Sequence, residues 1–535
     1  MNLNFFLLLI IQWFSYTKMS SSLSIADKEK QPNILLFLTD DQDSELGASI
    51  EPIPKIRSWI KDSGASFINS FVTIPICCPS RSSLLTGRYQ HHTEVWNNSI
   101  EGNCWGSDWR STSEKESLVV QMKAKRNYTT FYAGKYLNQY GEKGDDLSVP
   151  EGWDEWAGLV GNSKYYNYKL SINGKLESHG NDYETDYFTD VIKRKALSFL
   201  DSYKLKTSNI DESDINPFFM VISNSAPHGP FTPAPQYKNE FSNLSAPRTP
   251  AFNYVENVDK QKHYLLRVSP TPLGQDIVDE VDEVFRNRWR ALLSVDDQVD
   301  EIMRKLQDLD FLDSTFVLFT SDHGYHLGTF AMPWDKRTNY ETDLRVPLFV
   351  RGPGITAKQE IEDIIVNIDV APTILDIVGE TLDNTDGISF LPTIRSNKIS
   401  TYYSNPNASS VRDVRDKILI TYFGVGMGEN KTQPEECQDK CDHQMSNCNM
   451  DWGCKSVDMV NNTFACLRTL NQDENSIVCR FKDEEAFVEA YNLNEDPYQL
   501  INIAVNDDNE ETTNWINSSV NEIEEMIEGL EKDKQ

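Results

Sequence analysis

Four apolar runs in the first two thirds of the chain lead into residues able to do polar chemistry. Asn33–Thr39 runs into Asp40-Asp41 and Thr130–Ala133 into Gly134-Lys135. Pro217–Ser223 leads to His228, and Thr315–Thr320 leads to Asp322-His323. Ligands of open α/β sheets sit beyond the carboxyl ends of strands. Laid side by side, these runs would gather three carboxylates, two imidazoles and a lysine at one edge. Hard oxygen ligands of that kind suit Ca²⁺ or Mg²⁺, and an imidazole excludes neither. One Asp-Asp after one strand is more often a turn or a helix cap. Two such sites in one chain favour a shared centre.

A second signal is Cys77-Cys78-Pro79-Ser80-Arg81, followed by Thr86-Gly87-Arg88. Proline suits the first turn of a helix and glycine its end, so a helix beginning near Pro79 should stop at Gly87. Taken alone, a thiol beside a helix N-terminus is either a low-pKa cysteine or a structural one.

The elements that must position these groups alternate between strand-like and helix-like runs through the first 380 or so residues, which predicts an α/β fold with a largely parallel sheet. A further strand is expected at Val346–Val350. The best helix covers Phe285–Leu306, with Trp289, Leu292, Leu293, Val299, Ile302, Met303 and Leu306 on one face. After Asp386-Gly387 the pattern becomes polar and Cys-rich. A strand follows at Ala486–Leu493, then an acidic amphipathic helix, Glu522–Leu530, expected to be a solvated surface element.

The chain has 535 residues, 82 acidic and 51 basic, for a net charge of −31. That charge argues against a nucleic-acid partner, although a local cationic pocket can still hold a small anion. Residues 1–24 read as a signal peptide with the apolar run Phe5–Ile11, and no later stretch reaches transmembrane length. Sequons at Asn97, Asn127, Asn243, Asn407, Asn430, Asn461 and Asn517 fit the secretory pathway. Of nine cysteines, Cys437, Cys441, Cys448, Cys454, Cys466 and Cys479 cluster late in the chain. They suggest three bridges of undetermined pairing, with a zinc cluster as the alternative.

The stretches LLFLTDDQDSELG, CCPSRSSLLTGRYQHH, TTFYAGKYLNQYG, SKYYNYKLSINGK, APHGPFTPAPQY, LLSVDDQV, TSDHGYHLGTF, PWDKRTNYE, RVPLFVRGPGI, NIDVAPTILDIVG and YNLNEDPYQLINIA span residues 31 to 504. In this combination the sequence resembles the type I sulfatases, and among them the lysosomal N-acetylglucosamine-6-sulfatases. The resemblance implies an alkaline-phosphatase-like three-layer α/β/α sandwich with a large, mostly parallel sheet, plus a smaller C-terminal α+β domain. The implied divisions are a catalytic domain at 25–395, a Cys-rich domain at 396–510 and a C-terminal helix at 511–535.

The signature C-x-P-S-R implies that Cys77 is oxidised to Cα-formylglycine by a formylglycine-generating enzyme. One hydroxyl of the hydrated aldehyde would attack sulfur and release the sugar alcohol. The other would then lose its proton as sulfate leaves, whereas a plain Ser or Cys would stall as a sulfo-ester. Cys77 would also ligate one Ca²⁺ per subunit together with Asp40, Asp41, Asp322 and His323. Arg81 resembles the arginine that holds the hydrate, Lys135 and Lys336 the lysines that grip sulfate, and His228 the histidine that assists proton transfer. The implied substrate is a sulfated glycosaminoglycan, heparan or keratan sulfate, cut at the 6-sulfate of terminal N-acetylglucosamine. The implied location is the lysosomal lumen, with secretion as the alternative, and a homodimer is admitted.

Two positions depart from the pattern. His323 stands where the glucosamine-6-sulfatases carry Asn, while extracellular heparan 6-O-endosulfatases show Asp-His-Gly. Leu137 stands where many arylsulfatases have a second histidine. An endosulfatase is therefore the first rival, disfavoured because the long basic insertion of those enzymes is missing. A two-metal phosphatase with a Ser or Thr nucleophile and a catalytically inactive glycan-binding protein are the others. His91 and His92 are read as surface residues, Cys78 as a buried bystander, and Tyr165, Tyr166 and Tyr168 as packing. His326 stands between a structural and a substrate-contact role.

Overall fold

The computed structural model describes residues 31–45, 50–142, 146–211, 214–267, 272–394, 415–424, 462–506 and 509–532. The 1–24 leader, the sequons at Asn407, Asn430 and Asn461, and Cys437, Cys441, Cys448 and Cys454 lie outside them. A ten-stranded sheet is built from β1 (Asn33–Thr39), β2 (Ala65–Phe67), β3 (Thr129–Lys135), β4 (Glu155–Leu159), β5 (Lys169–Ile172), β6 (Lys175–Ser178), β7 (Phe218–Ser223), β8 (Thr315–Ser321), β9 (Leu348–Arg351) and β10 (Gln359–Ile361), in the order β10-β2-β9-β8-β1-β7-β3-β4-β5-β6. The five central strands, β8-β1-β7-β3-β4, are parallel, and the antiparallel pairings lie toward the two edges. All four runs expected to carry chemistry are thus adjacent and parallel, so their carboxyl ends share one edge.

The central strands are buried at nearly every position because both faces are covered. Side chains alternate across a strand: Ile34, Leu36 and Leu38 of β1 face one core, Leu35 and Phe37 the other. The first core is closed by helices α1 (Cys77–Thr86), α2 (Leu118–Arg126) and α5 (Val370–Ile377), through Leu84, Leu85, Met122, Ile374 and Leu375. The second is closed by α3 (Phe188–Thr207) and α4 (Gln275–Asp308), through Val191, Phe199, Val295 and Ile302. This is the three-layer arrangement, and α4 extends ten residues further toward the N-terminus than its apolar stripe indicated.

A four-stranded antiparallel sheet, β11 (Lys417–Tyr422), β12 (Phe464–Leu470), β13 (Asn475–Phe481) and β14 (Val488–Asn492), forms the C-terminal part. Its apolar residues share a core with Phe71, Ile74 and Ile76 of the segment entering α1. The last helix, α6, runs Glu510–Lys532 and is not merely solvated. Ile523 is 1% exposed, and Met526 and Ile527 pack on the same core. Cys466 and Cys479, directly opposite on β12 and β13, form a disulfide. Cys78 is likewise no bystander but is bonded to Cys104. Among the described cysteines only Cys77 keeps a free thiol. Asn127, Asn243 and Asn517 are exposed, as glycosylation requires.

Candidate active site

The site begins at α1. All ten of its residues are buried, including Arg81 and the serines, so a helix of low hydropathy is held by polar contacts as well as by Leu84 and Leu85 in the first core. Its first residue is Cys77 and it ends as Gly87 turns left-handed, at φ +68°. Ser80 donates to the carbonyl of Asp322 and accepts from Asn367 Nδ2 at 2.9 Å, which ties the first turn to the end of β8. The backbone N–H of Cys78 donates to Asn98 Oδ1 at 2.9 Å.

Each carboxylate at the sheet edge has its own permanent cation. Lys135 Nζ donates to Asp40 Oδ2 at 2.6 Å, Lys336 Nζ to Asp41 Oδ1 at 2.6 Å, and Arg81 Nε to Asp322 Oδ2 at 2.8 Å. Arg81 also donates to Ser223 Oγ at 2.8 Å and to the Lys135 carbonyl at 3.0 Å. Lys135 can reach inward because Gly134, at φ +123°, lets β3 close on β7. A Cβ there would lie 1.8 Å from the Ser223 carbonyl oxygen. Asp41 adopts φ +68°, a conformation that Asp tolerates better than most residues, and its N–H donates to Asp322 Oδ1 at 3.0 Å.

The two histidines use one device. The Nδ1–H of His323 donates to the Gly324 carbonyl at 2.8 Å, and that of His228 to the Gly229 carbonyl at 2.7 Å. Each ring therefore presents Nε2 to the centre. His323 Nε2 lies 3.3 Å from Cys77 Sγ and 3.4 Å from Asp41 Oδ1, and His228 Nε2 lies 3.9 Å from Asp41 Oδ2. Burial pushes His323 down, but Asp322 and Cys77 outweigh it and raise the group to about 9. His228 is raised too, Asp41 prevailing over burial. Burial pushes the Cys77 thiol up, yet Lys135 and Lys336 hold it well below the ordinary thiol range. Burial likewise opposes ionisation of Asp40, and Lys135, His228, Arg81 and Lys336 together keep it far below the carboxylate range.

The donor set fits a hard divalent ion. Ligand atoms of Asp40, Asp41, Cys77 and His228 all lie within 4.8 Å of one another, as do those of Asp40, Cys77, Asp322 and His323. Asp40 Oδ1 and Asp41 Oδ2 are buried and accept no hydrogen bond, two orphaned acceptors that a cation would satisfy. All nine residues singled out for site chemistry thus meet here. His326 does not join them: it is buried with Nδ1 3.0 Å from Asp343 Oδ1. His92 is half-buried against Asp386 at 2.7 Å, and Tyr165 and Tyr168 are buried in the second core.

Two neighbours escaped the sequence reading. Ser163 donates to Asp40 Oδ2 from the loop that opens the stretch SKYYNYKLSINGK, whose residues are not among those singled out for site chemistry. Arg288 donates to the Asp41 carbonyl at 2.7 Å and to Asp43 Oδ1 at 2.9 Å. That signal was present, since Arg288 interrupts the apolar stripe of α4 between Phe285 and Leu292.

A doubly covered α/β sheet with a metal-capable carboxylate cluster at its strand ends and a helix-borne cysteine facing it defines a hydrolase of the alkaline-phosphatase architecture. A family model described as Sulfatase matches residues 32–380, and the chain belongs to the sulfatase family. N-acetylglucosamine-6-sulfatase of Homo sapiens is 43% identical over 484 residues, covering 90% of this chain and 82% of that protein. The putative extracellular sulfatase Sulf-1 homolog of Caenorhabditis elegans is 41% identical over 399 residues, covering 74% of this chain but 53% of that longer protein. A solved structure described as a complex with its substrate D-glucosamine-2-N,6-O-disulfate superposes with a TM-score of 0.68 at 20% identity, covering 94% of this chain and 99% of that one.

Proposed function

We propose that the protein hydrolyses the 6-sulfate of N-acetylglucosamine 6-sulfate units at the non-reducing ends of heparan and keratan sulfate. The observation that carries the reading is the free thiol of Cys77 at the first turn of α1, facing Asp40, Asp41, Asp322 and His323. The identity to N-acetylglucosamine-6-sulfatase supports the choice of sugar.

Cys77 is the residue to be converted to formylglycine by a formylglycine-generating enzyme, and the hydrated aldehyde supplies a nucleophile that can later expel sulfate without a second attack at sulfur. Asp40, Asp41, Asp322 and His323 would hold Ca²⁺, which supplies charge stabilisation for the sulfuryl oxygens. The remaining steps belong to fixed side chains. Lys135 and Lys336, paired with Asp40 and Asp41, bind the anion. Arg81, tied to Asp322, Ser223 and the Lys135 carbonyl, holds position 77 against the metal cluster. His228 is 18% exposed and Asp41 raises its affinity for a proton, which suits it to give one from Nε2 to the leaving sugar oxygen. The exposed sequons and the leader suit delivery through the secretory pathway to the lysosomal lumen, with release from the cell as the alternative.

A second reading, an endosulfatase acting within heparan chains, is favoured by one residue, His323 after Asp322. Turnover of a terminal glucosamine-6-sulfate oligosaccharide compared with intact heparin separates the two, and preferential cleavage inside the polymer would overturn our choice. Mass spectrometry of the peptide containing position 77 should show sulfur lost and an aldehyde gained. Full sulfatase activity in Cys77→Ala would contradict the mechanism.

A further inference from the structure

Lys336 is carried by a stretch with little regular structure of its own. It follows the two-residue strand Trp334–Asp335, and no helix begins before Glu341. The next residue, Arg337, adopts φ +83°, a conformation that a non-glycine residue keeps only where its surroundings impose it. Within the body of the protein, Asp343 accepts from the Thr338 N–H at 2.9 Å and from its hydroxyl. Most other anchors of this turn come from the C-terminal part, more than a hundred residues further along the chain.

Those anchors act on four of the five residues from Arg337 to Glu341. Asn462 Nδ2 donates to the Arg337 carbonyl at 2.8 Å, directly after Lys336. Glu489, fully buried on β14, accepts from Asn339 Nδ2 at 3.1 Å and from the Tyr340 hydroxyl at 3.0 Å. Gln499 Oε1 accepts from the Glu341 N–H at 3.0 Å, and Arg468 Nε donates to Glu341 Oε1 at 3.0 Å. Glu489 is itself fixed by the Tyr491 hydroxyl at 2.8 Å and the His263 N–H at 2.8 Å. Asn462 and Gln499 are each 2% exposed, so these bonds do not compete with bulk water. None of the three touches the metal cluster or Cys77, yet they hold the turn that places Lys336 Nζ 2.6 Å from Asp41.

We infer that Asn462, Glu489 and Gln499 are positioning residues for Lys336, so that the active site at the edge of the large sheet is complete only with the C-terminal sheet docked. The inference rests on the proposed role of Lys336 in holding sulfate. It accounts for a conformation at Arg337 that the local sequence does not favour, and it gives the C-terminal sheet a part in the chemistry although it offers no reacting group.

The test is a double-mutant cycle on the full-length, formylglycine-loaded enzyme, with kcat/KM on a glucosamine-6-sulfate oligosaccharide and inhibition by inorganic sulfate as readouts. Asn462→Ala should lower kcat/KM by about 10- to 100-fold and weaken sulfate inhibition, because a displacement near 1 Å in a binding group has consequences of that size. In a Lys336→Ala background the same substitution should cost less than about threefold, since the group it positions is gone. Losses that multiply in full, or wild-type kinetics in both Asn462→Ala and Gln499→Ala, would overturn the inference while leaving Lys336 its role. Wild-type activity in Lys336→Ala alone would sink that role and the inference with it. Should Asn462→Ala not fold, Gln499→Ala and Glu489→Gln carry the same cycle.

Discussion

Replacing Lys135 by Met tests the electrostatic logic of the site most directly, because the change acts on metal affinity, stability and turnover in ways that can be separated. Lys135 and Asp40 are both fully buried and 2.6 Å apart. Removing the ammonium leaves a buried carboxylate short of its cation, a change that costs about 3–5 kcal/mol where nothing else compensates. Here Ser163 still donates to Asp40, and Arg81 stands 3.8 Å from its other oxygen, so the lower end of that range is expected for the metal-free protein. In the wild type an incoming cation must share Asp40 with Lys135. In the variant it does not, so the stability gained on adding Ca²⁺ should be larger in Lys135→Met than in the wild type. For scale, ligand at 100 times Kd stabilises by about 2.7 kcal/mol. Turnover should nevertheless fall by about 10²–10³, the usual consequence of losing one donor to developing negative charge. Thermal unfolding of both proteins in EDTA and in Ca²⁺, beside kcat on a sulfated oligosaccharide, reads all three effects. An equal Ca²⁺ response in the two proteins, or unimpaired turnover in the variant, would refute the reasoning.

Two further outcomes concern stability. Burial lifts Glu114 to about 7 from its ordinary 4.5, so the folded state binds a proton that the unfolded state releases between those values. Stability should therefore decline as pH rises from about 4.5 to 7. Glu114→Gln should remove that slope, gaining up to about 3 kcal/mol at pH 8 and nothing at pH 4, as urea melts at the two pH values will show. The Cys78–Cys104 disulfide joins residues 26 apart, for which chain-entropy arithmetic gives about 3.5 kcal/mol, and Cys104→Ser should lose a stability of that order in non-reducing denaturant melts.

The parts legible in the sequence are those whose information is local. β1, β3, β7 and β8 announce themselves as continuous apolar runs because both faces of the central sheet are covered, and the polar residues after them fall at one edge because those strands are parallel neighbours. The cysteine signature marks α1 by residue type and spacing, which its hydropathy could not do. Arithmetic on the cysteines could have paired Cys78 with Cys104: six form the late cluster, one is reserved for oxidation, and two remain. What stayed hidden depends on pairs distant in sequence. Ser163 meets Asp40 across 123 positions, and Asn462 meets Arg337 across 125, each through a single hydrogen bond that leaves no periodicity. The burial of α6 was missed for a related reason, since its acidic face dominates its composition while the residues that matter are Ile523, Met526 and Ile527 on the other side.

A chain of net charge −31 is at first sight a poor host for a sulfate ester, yet the sign of the whole does not set the sign of the site. Surface charges are screened within about 8 Å at physiological ionic strength, while groups inside a dry centre are not. There the permanent charges cancel one for one, with Asp40, Asp41 and Asp322 set against Lys135, Lys336 and Arg81. A protonated His228 tips the balance positive, and a divalent cation, which would take His323 as the neutral imidazole, tips it further. Once the carboxylates turn part of their valence toward a metal, the two lysines are left with less to hold. A sulfuryl group can then be met by cations already fixed and already desolvated, which is where electrostatic stabilisation is most effective. On this reasoning the acidic exterior and the cationic centre do not conflict, and surface charge reversals far from the strand ends should leave turnover on small sulfated sugars unchanged.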